Sequence, residues 1–294
     1  MELIRKRDRA GVHVNHTIIK GKDFPYLTFP NLEKLDFVTH LFTTRLGGVS
    51  SGALESLNLS YARGDDPSNV DENFARVAEA LGMSVQDMVF TDQTHTANIR
   101  VVTEEDRGKG IAKNRDFHDI DGLITNTPGI VLSAFFADCV PVLLADPVHR
   151  AIGLVHSGWR GTAASVSQAA LGKMRDAYGT RPEDCFAAVG PSICGDCYEV
   201  SADVADVFIE AFGSEAAGSK EEADEKERFL YRKPDGKYQL DLWRANERVL
   251  LDAGVPKEHI FITDVCTCCN PQVLFSHRAS KGQRGNLGAF MVLR

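Results

Sequence analysis

Three side chains far apart in the sequence have the chemistry to share one divalent ion. They are His95 in the polar turn of TDQTHTANI, Cys139 in an Ala-Asp-Cys turn, and His156 at the end of an apolar run before Ser-Gly-Trp-Arg-Gly. Zinc suits imidazole nitrogen and thiolate sulfur, and a catalytic zinc commonly takes three protein ligands and leaves its fourth position to water or substrate. Two neutral imidazoles and one thiolate leave the ion a net positive charge, which attracts an anionic nucleophile such as phosphate or hydroxide. An all-thiolate set does not. On spacing alone the plainer reading, a core cysteine and two unrelated histidines, is the stronger.

The elements that must position these residues are legible from pattern. Apolar runs at 131–136, 140–144 and 151–155 predict strands that place Cys139 and His156 at strand ends, and Pro141 predicts an edge or bulged position for the second run. His95 falls between two further strands in DMVFTDQTHTANIRVVT, and the polar stretch 104–120 predicts a long surface loop. A helix is expected from Asp71, with Phe74, Val77, Ala78 and Leu81 on one face and Gly82 as its stop. Thr162 is expected to open another, with Ala163, Val166, Ala170 and Met174 inside. Its N-terminus beside His156, together with Arg160, favours a phosphate or carboxylate. Upstream, Arg45 precedes a loop carrying Gly47-Gly48 and Ser51-Gly52, which can turn backbone N–H groups toward an anion.

Further along, Ser201 is expected to cap a helix, FLYRKPDGKYQL to form a hairpin turning at Pro234-Asp235-Gly236, and DLWRANERVLLDAG to form a helix ended by Gly254. The charged segment 218–228 is expected to be a solvated loop, and HIFITD, VLFSHR and GAFMVLR to be closing strands. Strands scattered along the whole chain with helices between them favour one α+β unit. Residues 1–36 are expected to form short strands or an extended N-terminal arm.

Composition narrows the function classes. The 294 residues carry 33 basic against 41 acidic side chains, a formal net charge of -8, so no global field draws the chain to nucleic acid or an anionic membrane. A local basic pocket remains compatible with that charge. The opening MELIRKRDRA is charged, and no uninterrupted apolar run reaches about 18 residues, which makes a cytoplasmic protein the expectation. Seven cysteines, an odd number, argue against a disulfide framework. Cys194-X-X-Cys197 with Cys266, Cys268 and Cys269 offers a structural zinc site or a redox pair. The second half lacks the usual two-residue spacer, and packing or mildly reactive thiols are expected instead.

The motifs TTRLGGVSSGALESLNLS, GDDPSNVDENF, the QTH of 93–95, ADCVPVLLADP, GLVHSGWRGT, AVGPSIC with CYEV, and CTCCNPQVLFSHR occur in that order from about Phe37 to the C-terminus. Together they resemble the laccase-domain family of YfiH and YlmD type, also called polyphenol oxidase or purine nucleoside phosphorylase. The resemblance implies a laccase-like domain over 37–294 with a four-layer α/β/β/α fold related to a bacterial toxin deamidase. It also implies a zinc or copper ion on His95, Cys139 and His156.

The family's names disagree about the reaction. A multicopper oxidase needs several copper ions and many histidines, commonly as His-X-His pairs, whereas this chain has nine histidines and only the out-of-register His13 and His16. Zinc has no redox chemistry. The alternative activity implied by the resemblance is phosphorolysis of adenosine, inosine, guanosine and methylthioadenosine, together with adenosine deamination. Phosphate and purine nucleosides are then the small-molecule partners, with Arg45 and Arg160 suggested to hold phosphate. The other readings are a cysteine-dependent hydrolase or deamidase with Cys139 as nucleophile, the older phenol oxidase, and a non-catalytic metal-binding protein. Oligomeric state is not readable from the sequence.

Overall fold

A computed structural model describes residues 1–6, 11–218 and 228–294. Most of the charged segment expected as a solvated loop, 219–227, lies outside the described residues. The chain runs through β1 (His13–Ile19), β2 (Lys22–Thr28), α1 (Pro30–Glu33), β3 (Val38–Thr43), α2 (Pro67–Leu81), β4 (Met88–Phe90) and β5 (Ile99–Val101). It continues through β6 (Gly122–Thr125), β7 (Val131–Phe136), β8 (Val140–Asp146), β9 (Ala151–Ser157), α3 (Trp159–Ala163), α4 (Val166–Tyr178) and β10 (Phe186–Val189). The last part comprises β11 (Glu199–Val200), α5 (Ala202–Phe212), β12 (Ala217–Gly218), β13 (Leu230–Arg232), β14 (Tyr238–Leu240), α6 (Leu242–Asp252), β15 (Ile260–Ile262) and β16 (Leu287–Leu293).

Two six-stranded sheets, ordered β1-β2-β3-β16-β7-β4 and β15-β10-β8-β9-β6-β5, face each other, and a small sheet β11-β14-β13-β12 lies apart. Alternation along the strands accounts for the layering, because successive side chains point to opposite faces. In β7, Leu132, Ala134 and Phe136 meet Leu143, Ala145, Ile152 and Leu154 of the second sheet in the central core. The opposite face of the first sheet, with Leu41, Val131 and Phe290, packs on Val70, Phe74 and Val77 of α2. The outer face of the second sheet, with Val142, Leu144 and Val155, is covered by Val166, Ala170 and Met174 of α4 and by Trp243 and Leu250 of α6. The result is a four-layer α/β/β/α arrangement of the α+β class, as the family resemblance implies.

Helix ends follow local chemistry. Asp66 caps α2 by accepting from the Ser68 amide, with Pro67 in the first turn and Gly82 closing the helix in the left-handed region. The Asp241 side chain accepts from the Trp243 and Arg244 amides at the start of α6. Ser201 occupies the N-cap of α5 without a side-chain capping bond. The hairpin β13–β14 forms as expected, with Gly236 at φ 80° in its turn. Residues 1–36 supply the strands β1 and β2, which are paired onto β3.

Three expectations are corrected. β8 is a central strand, flanked by β10 and β9, although it carries Pro141. The proline is tolerated because β10 pairing ends at Val189 opposite Val142, and the Pro141 carbonyl still accepts from the Gly190 amide at 2.9 Å. The VLFSHR segment forms turns instead of a strand; Val273, Leu274 and Phe275 are nonetheless buried, which explains their apolar character. The helix after His156 starts earlier than Thr162, as the five-residue α3, and breaks at Ser165 (φ 54°) before α4 begins.

Candidate metal and nucleoside site

Two chain crossings from the first sheet to the second converge at one end of the sandwich. His95 lies in the crossing from β4 to β5, Cys139 in the crossing from β7 to β8, and His156 near the end of β9. Gln93 pins the first crossing to β7: its Nε2 donates to the Phe135 carbonyl at 2.8 Å and its Oε1 accepts from the Phe135 amide at 2.9 Å. His95 itself sits at φ 69°, a left-handed backbone that costs a non-glycine residue about 1–2 kcal/mol. The His95 Nε2 and Cys139 Sγ are 3.9 Å apart, and the two imidazole rings meet edge to face at a centroid distance of 5.0 Å. One donor atom from each of His95, Cys139 and His156 lies within 4.8 Å of the other two.

This geometry fits a single ion. Donors about 2.0–2.3 Å from a tetrahedral zinc stand roughly 3.3–3.7 Å from one another, so modest side-chain motion closes the set. Burial grades from the exposed His95 through the half-buried Cys139 to the buried His156, leaving one side open. Gly158 permits the approach: a Cβ there would stand 2.8 Å from His95 Cδ2 and 3.2 Å from Cys139 Sγ.

Sequence reasoning missed the group that orients the site. Asp121, fully buried, accepts from His156 Nδ1 at 2.6 Å, which turns the other ring nitrogen, Nε2, away from the carboxylate and leaves it available as a ligand. The Asp121 carboxylate also accepts from the amides of Thr94 and Thr96 at 3.0 and 2.9 Å, so one carboxylate fixes both the His95 turn and the His156 ring. Burial raises its pKa, but His156 and these amides hold it down to about 2. The only sequence signal for it is an aspartate opening the short strand DGLITN.

In the metal-free state the cluster is polarised. Burial pushes the Cys139 thiol up, yet the charge and hydrogen bonds of His156 and His95 bring it down to about 6. Burial pulls His156 down, yet the Cys139 thiolate and Asp121 raise it to about 9. Cys139 is held from behind by Asp138, whose carboxylate accepts from Thr267 Oγ1 at 2.6 Å and from the Arg278 amide at 2.7 Å.

The two arginines singled out in the sequence fare differently. Arg160 is exposed on α3, its guanidinium 4.1 Å from the Trp159 ring centroid. The half-buried Arg45 donates from Nε to the Glu55 carbonyl at 2.6 Å and from Nη1 to the Pro271 carbonyl at 2.8 Å. The glycine loop after it does not turn its amides outward: Gly48, Val49 and Ser50 donate to Ser56 Oγ, Asn73 Oδ1 and the Ser56 carbonyl. Other side chains are linked electrostatically to Cys139. Burial and the Cys139 thiolate raise the Tyr198 phenol to about 12, with Arg278 and Arg160 close enough to oppose them. Arg284 is lowered to about 10 by burial and Arg63, with Asp138 and Cys139 pulling the other way. Arg63 and Arg284 also line a cleft of about 520 Å³ with Ser51, Leu54 and Ala62. The motifs CYEV and LFSHR carried Tyr198 and Arg278 without revealing a role for either.

Four of the remaining histidines are engaged elsewhere. His13, His16 and His149 face Glu33, Asp23 and Asp146, and His40 accepts from the Phe29 amide. Among the described residues, one other ligand group exists, formed by Cys194, Cys197, Cys266 and Cys269. No helix there is long and apolar enough to cross a membrane.

Known proteins are similar to this chain in sequence and in fold. The chain is 40% identical over 269 residues to "Purine nucleoside phosphorylase" of Deinococcus radiodurans, covering 92% of this chain and 93% of that one. It is 33% identical over 255 residues to "Adenosine deaminase RL5" of an unknown prokaryotic organism, covering 84% and 93%. The crystal structure of YlmD from Geobacillus stearothermophilus superposes with a TM-score of 0.81 at 32% identity, over 100% of both chains. Residues 39–294 match the family described as "Multi-copper polyphenol oxidoreductase laccase", and with relatives this similar over most of their length the chain belongs to that laccase-domain family.

Proposed function

We propose that the protein is a metal-dependent purine nucleoside phosphorylase acting on adenosine, inosine, guanosine and methylthioadenosine, with adenosine deaminase activity at the same site. The observation that carries the reading is the convergence of His95, Cys139 and His156, braced by Asp121. Relatives named for both activities support it. His95, Cys139 and His156 would hold zinc, with copper as the alternative, and the bound ion supplies a Lewis acid and lowers the pKa of water. Among the described residues the only other ligand group is all cysteine, so the further histidine-rich copper sites of a multicopper oxidase are lacking, which disfavours phenol oxidation.

In phosphorolysis a phosphate oxygen bonds to the anomeric carbon while the glycosidic C–N bond breaks and the base departs with the electron pair. Negative charge thus moves from phosphate to purine, and the chain must hold both. Arg160, exposed and stacked on Trp159, holds the phosphate. Arg45 contributes by bracing the loop against Glu55 and Pro271. Incubating metal-analysed protein with adenosine and inosine, with and without phosphate, while following free base and ammonia, tests the reading. Base release that needs phosphate supports it; base release indifferent to phosphate contradicts it.

A second reading rests on one observation. Cys139, His156 and Asp121 also form a thiolate, imidazole and carboxylate series suited to nucleophilic catalysis on amides. Activity that survives a strong chelator and is lost to a thiol alkylator favours this hydrolase over the phosphorylase.

A further inference from the structure

The second cysteine group stands on a different part of the fold and does not rest on the nucleoside reading. β10 and β15 are parallel neighbours, so the loops that follow them leave the second sheet at the same end. The first loop carries Cys194 and Cys197, the second Cys266 and Cys269. Setting Cys268 aside corrects the sequence reading, because Cys266-Thr-Cys-Cys269 has the same two-residue spacer as Cys194-Gly-Asp-Cys197. An isolated parallel bridge, Ser192 to Cys266, and the Thr267 amide bonded to the Ser192 carbonyl at 3.1 Å lock the two loops side by side.

The four sulfurs lie within 4.8 Å of one another, and all four cysteines are free thiols. Four thiolates about 2.3 Å from a tetrahedral zinc stand roughly 3.8 Å apart, so this is close to the coordination distance already. Cys197 Sγ and Cys269 Sγ, at 3.5 Å, are far beyond a bonded S–S distance of about 2.05 Å. Groups that stabilise thiolates surround them. The Cys194 amide donates to Cys266 Sγ at 3.2 Å. The Lys6 ammonium, paired with Asp196 at 3.5 Å, stands near Cys194 and Cys269. Four thiols with no ion between them gain little from this crowding, whereas four thiolates need a cation to offset their repulsion.

We propose that Cys194, Cys197, Cys266 and Cys269 form a second, structural zinc site that ties the loop after β10 to the loop after β15. With all four positions filled by protein, such a site has no open coordination and no catalytic role. Its consequence reaches the first site through Asp138. Thr267, between the cysteines of the second pair, donates to Asp138 Oδ1 at 2.6 Å, and the Ile193 amide, next to Cys194, donates to the Asp138 carbonyl at 3.0 Å. Arg278 completes the tie, with its amide on Asp138 and its guanidinium on the Cys197 and Glu199 carbonyls at 3.2 and 3.0 Å. The knot therefore holds the turn that presents Cys139.

The test is metal analysis of wild-type protein and of Cys139→Ala, purified with a reductant and without chelator. One zinc per chain is expected to persist in Cys139→Ala and to be lost when Cys197→Ser and Cys269→Ser are added. In Cys139→Ala alone, titration with a mercurial beside a chromogenic zinc chelator is expected to release that zinc as four thiols react, which needs no further variant to fold. Cys139→Ala protein without zinc overturns the proposal, as does a Cys197–Cys269 disulfide found by mass spectrometry in the reduced preparation. Zinc lost from Cys139→Ala relative to wild type reports on the first site separately, so failure of one site is distinguishable from failure of the other.

Discussion

Replacing Asp121 by Asn alters one functional group behind His156 and leaves the three proposed ligands in place. Outer-sphere carboxylates of this kind typically contribute 10- to 100-fold in metal affinity. Asp121→Asn is therefore expected to weaken metal retention by about that factor, measured by competition with a chelator of known affinity, with far-ultraviolet circular dichroism unchanged. The metal-free protein offers a pH test at the same scale. The Cys139 thiol is held down to about 6, well below an ordinary thiol, so its thiolate persists above pH 6 and is lost as pH falls through that value. Alkylation of Cys139 in metal-free protein is expected to reach half its maximal rate near pH 6, and bound metal is expected to suppress it; a midpoint near that of an ordinary thiol contradicts the assignment. No comparable change in stability with pH is expected from the pair. His156 is raised to about 9, so its contribution is lost as pH rises through 9, while that of Cys139 is lost as pH falls through 6. Across the interval between them the two trends offset each other.

The elements matter through how closely they approach. Gly158→Ala places a methyl 2.8 Å from His95 Cδ2, which the α3 N-terminus cannot relieve without moving His95 or Cys139. Loss of metal with little change in Tm is the expected outcome, read by metal analysis and thermal melting. Arg160→Ala removes a charged donor, an interaction worth about 1.5–3 kcal/mol, so the KM for phosphate is expected to rise about 10- to 100-fold. Deamination of adenosine, which uses no phosphate, is expected to keep its rate, and an equal loss of both activities contradicts the phosphate role. Much at this scale was legible in sequence. Period-2 and period-3.6 patterns located β7, β8, β9, α2 and α6, and strand-end placement put Cys139 and His156 forward as candidates that the family resemblance then favoured. Asp121 stayed hidden because it is thirty-five positions from His156 and joins it only through the β6–β9 pairing. Pro141 misled because local rules cannot see that β10 ends just where its missing amide proton would be needed.

At the scale of the whole molecule, the fold keeps stability and chemistry apart. The α2 layer packs on the outer face of the first sheet, where Phe74 meets Phe90 and Phe135 at 5.4 and 6.2 Å. Phe74→Ala is expected to cost about 3–5 kcal/mol of stability while metal content per folded chain stays at the wild-type level, checked by denaturant unfolding and metal analysis. The α+β class was legible because strands and helices alternate along the chain, whereas the four-layer arrangement came only from the family resemblance. The pairing of the two Cys-X-X-Cys loops was not legible, since it depends on β10 and β15 lying parallel, a long-range fact that spacing does not encode. The net charge of -8 leaves no global attraction for an anionic substrate, so under the proposed function phosphate capture has to come from local basic side chains such as Arg160. The most direct measurement compares wild-type protein and Cys139→Ser, each metal-analysed, for release of free base from inosine with and without phosphate. Phosphate-dependent release by the wild type and none by the metal-poor variant is the expected result. Turnover by Cys139→Ser at the wild-type rate contradicts the claim that His95, Cys139 and His156 act as one centre.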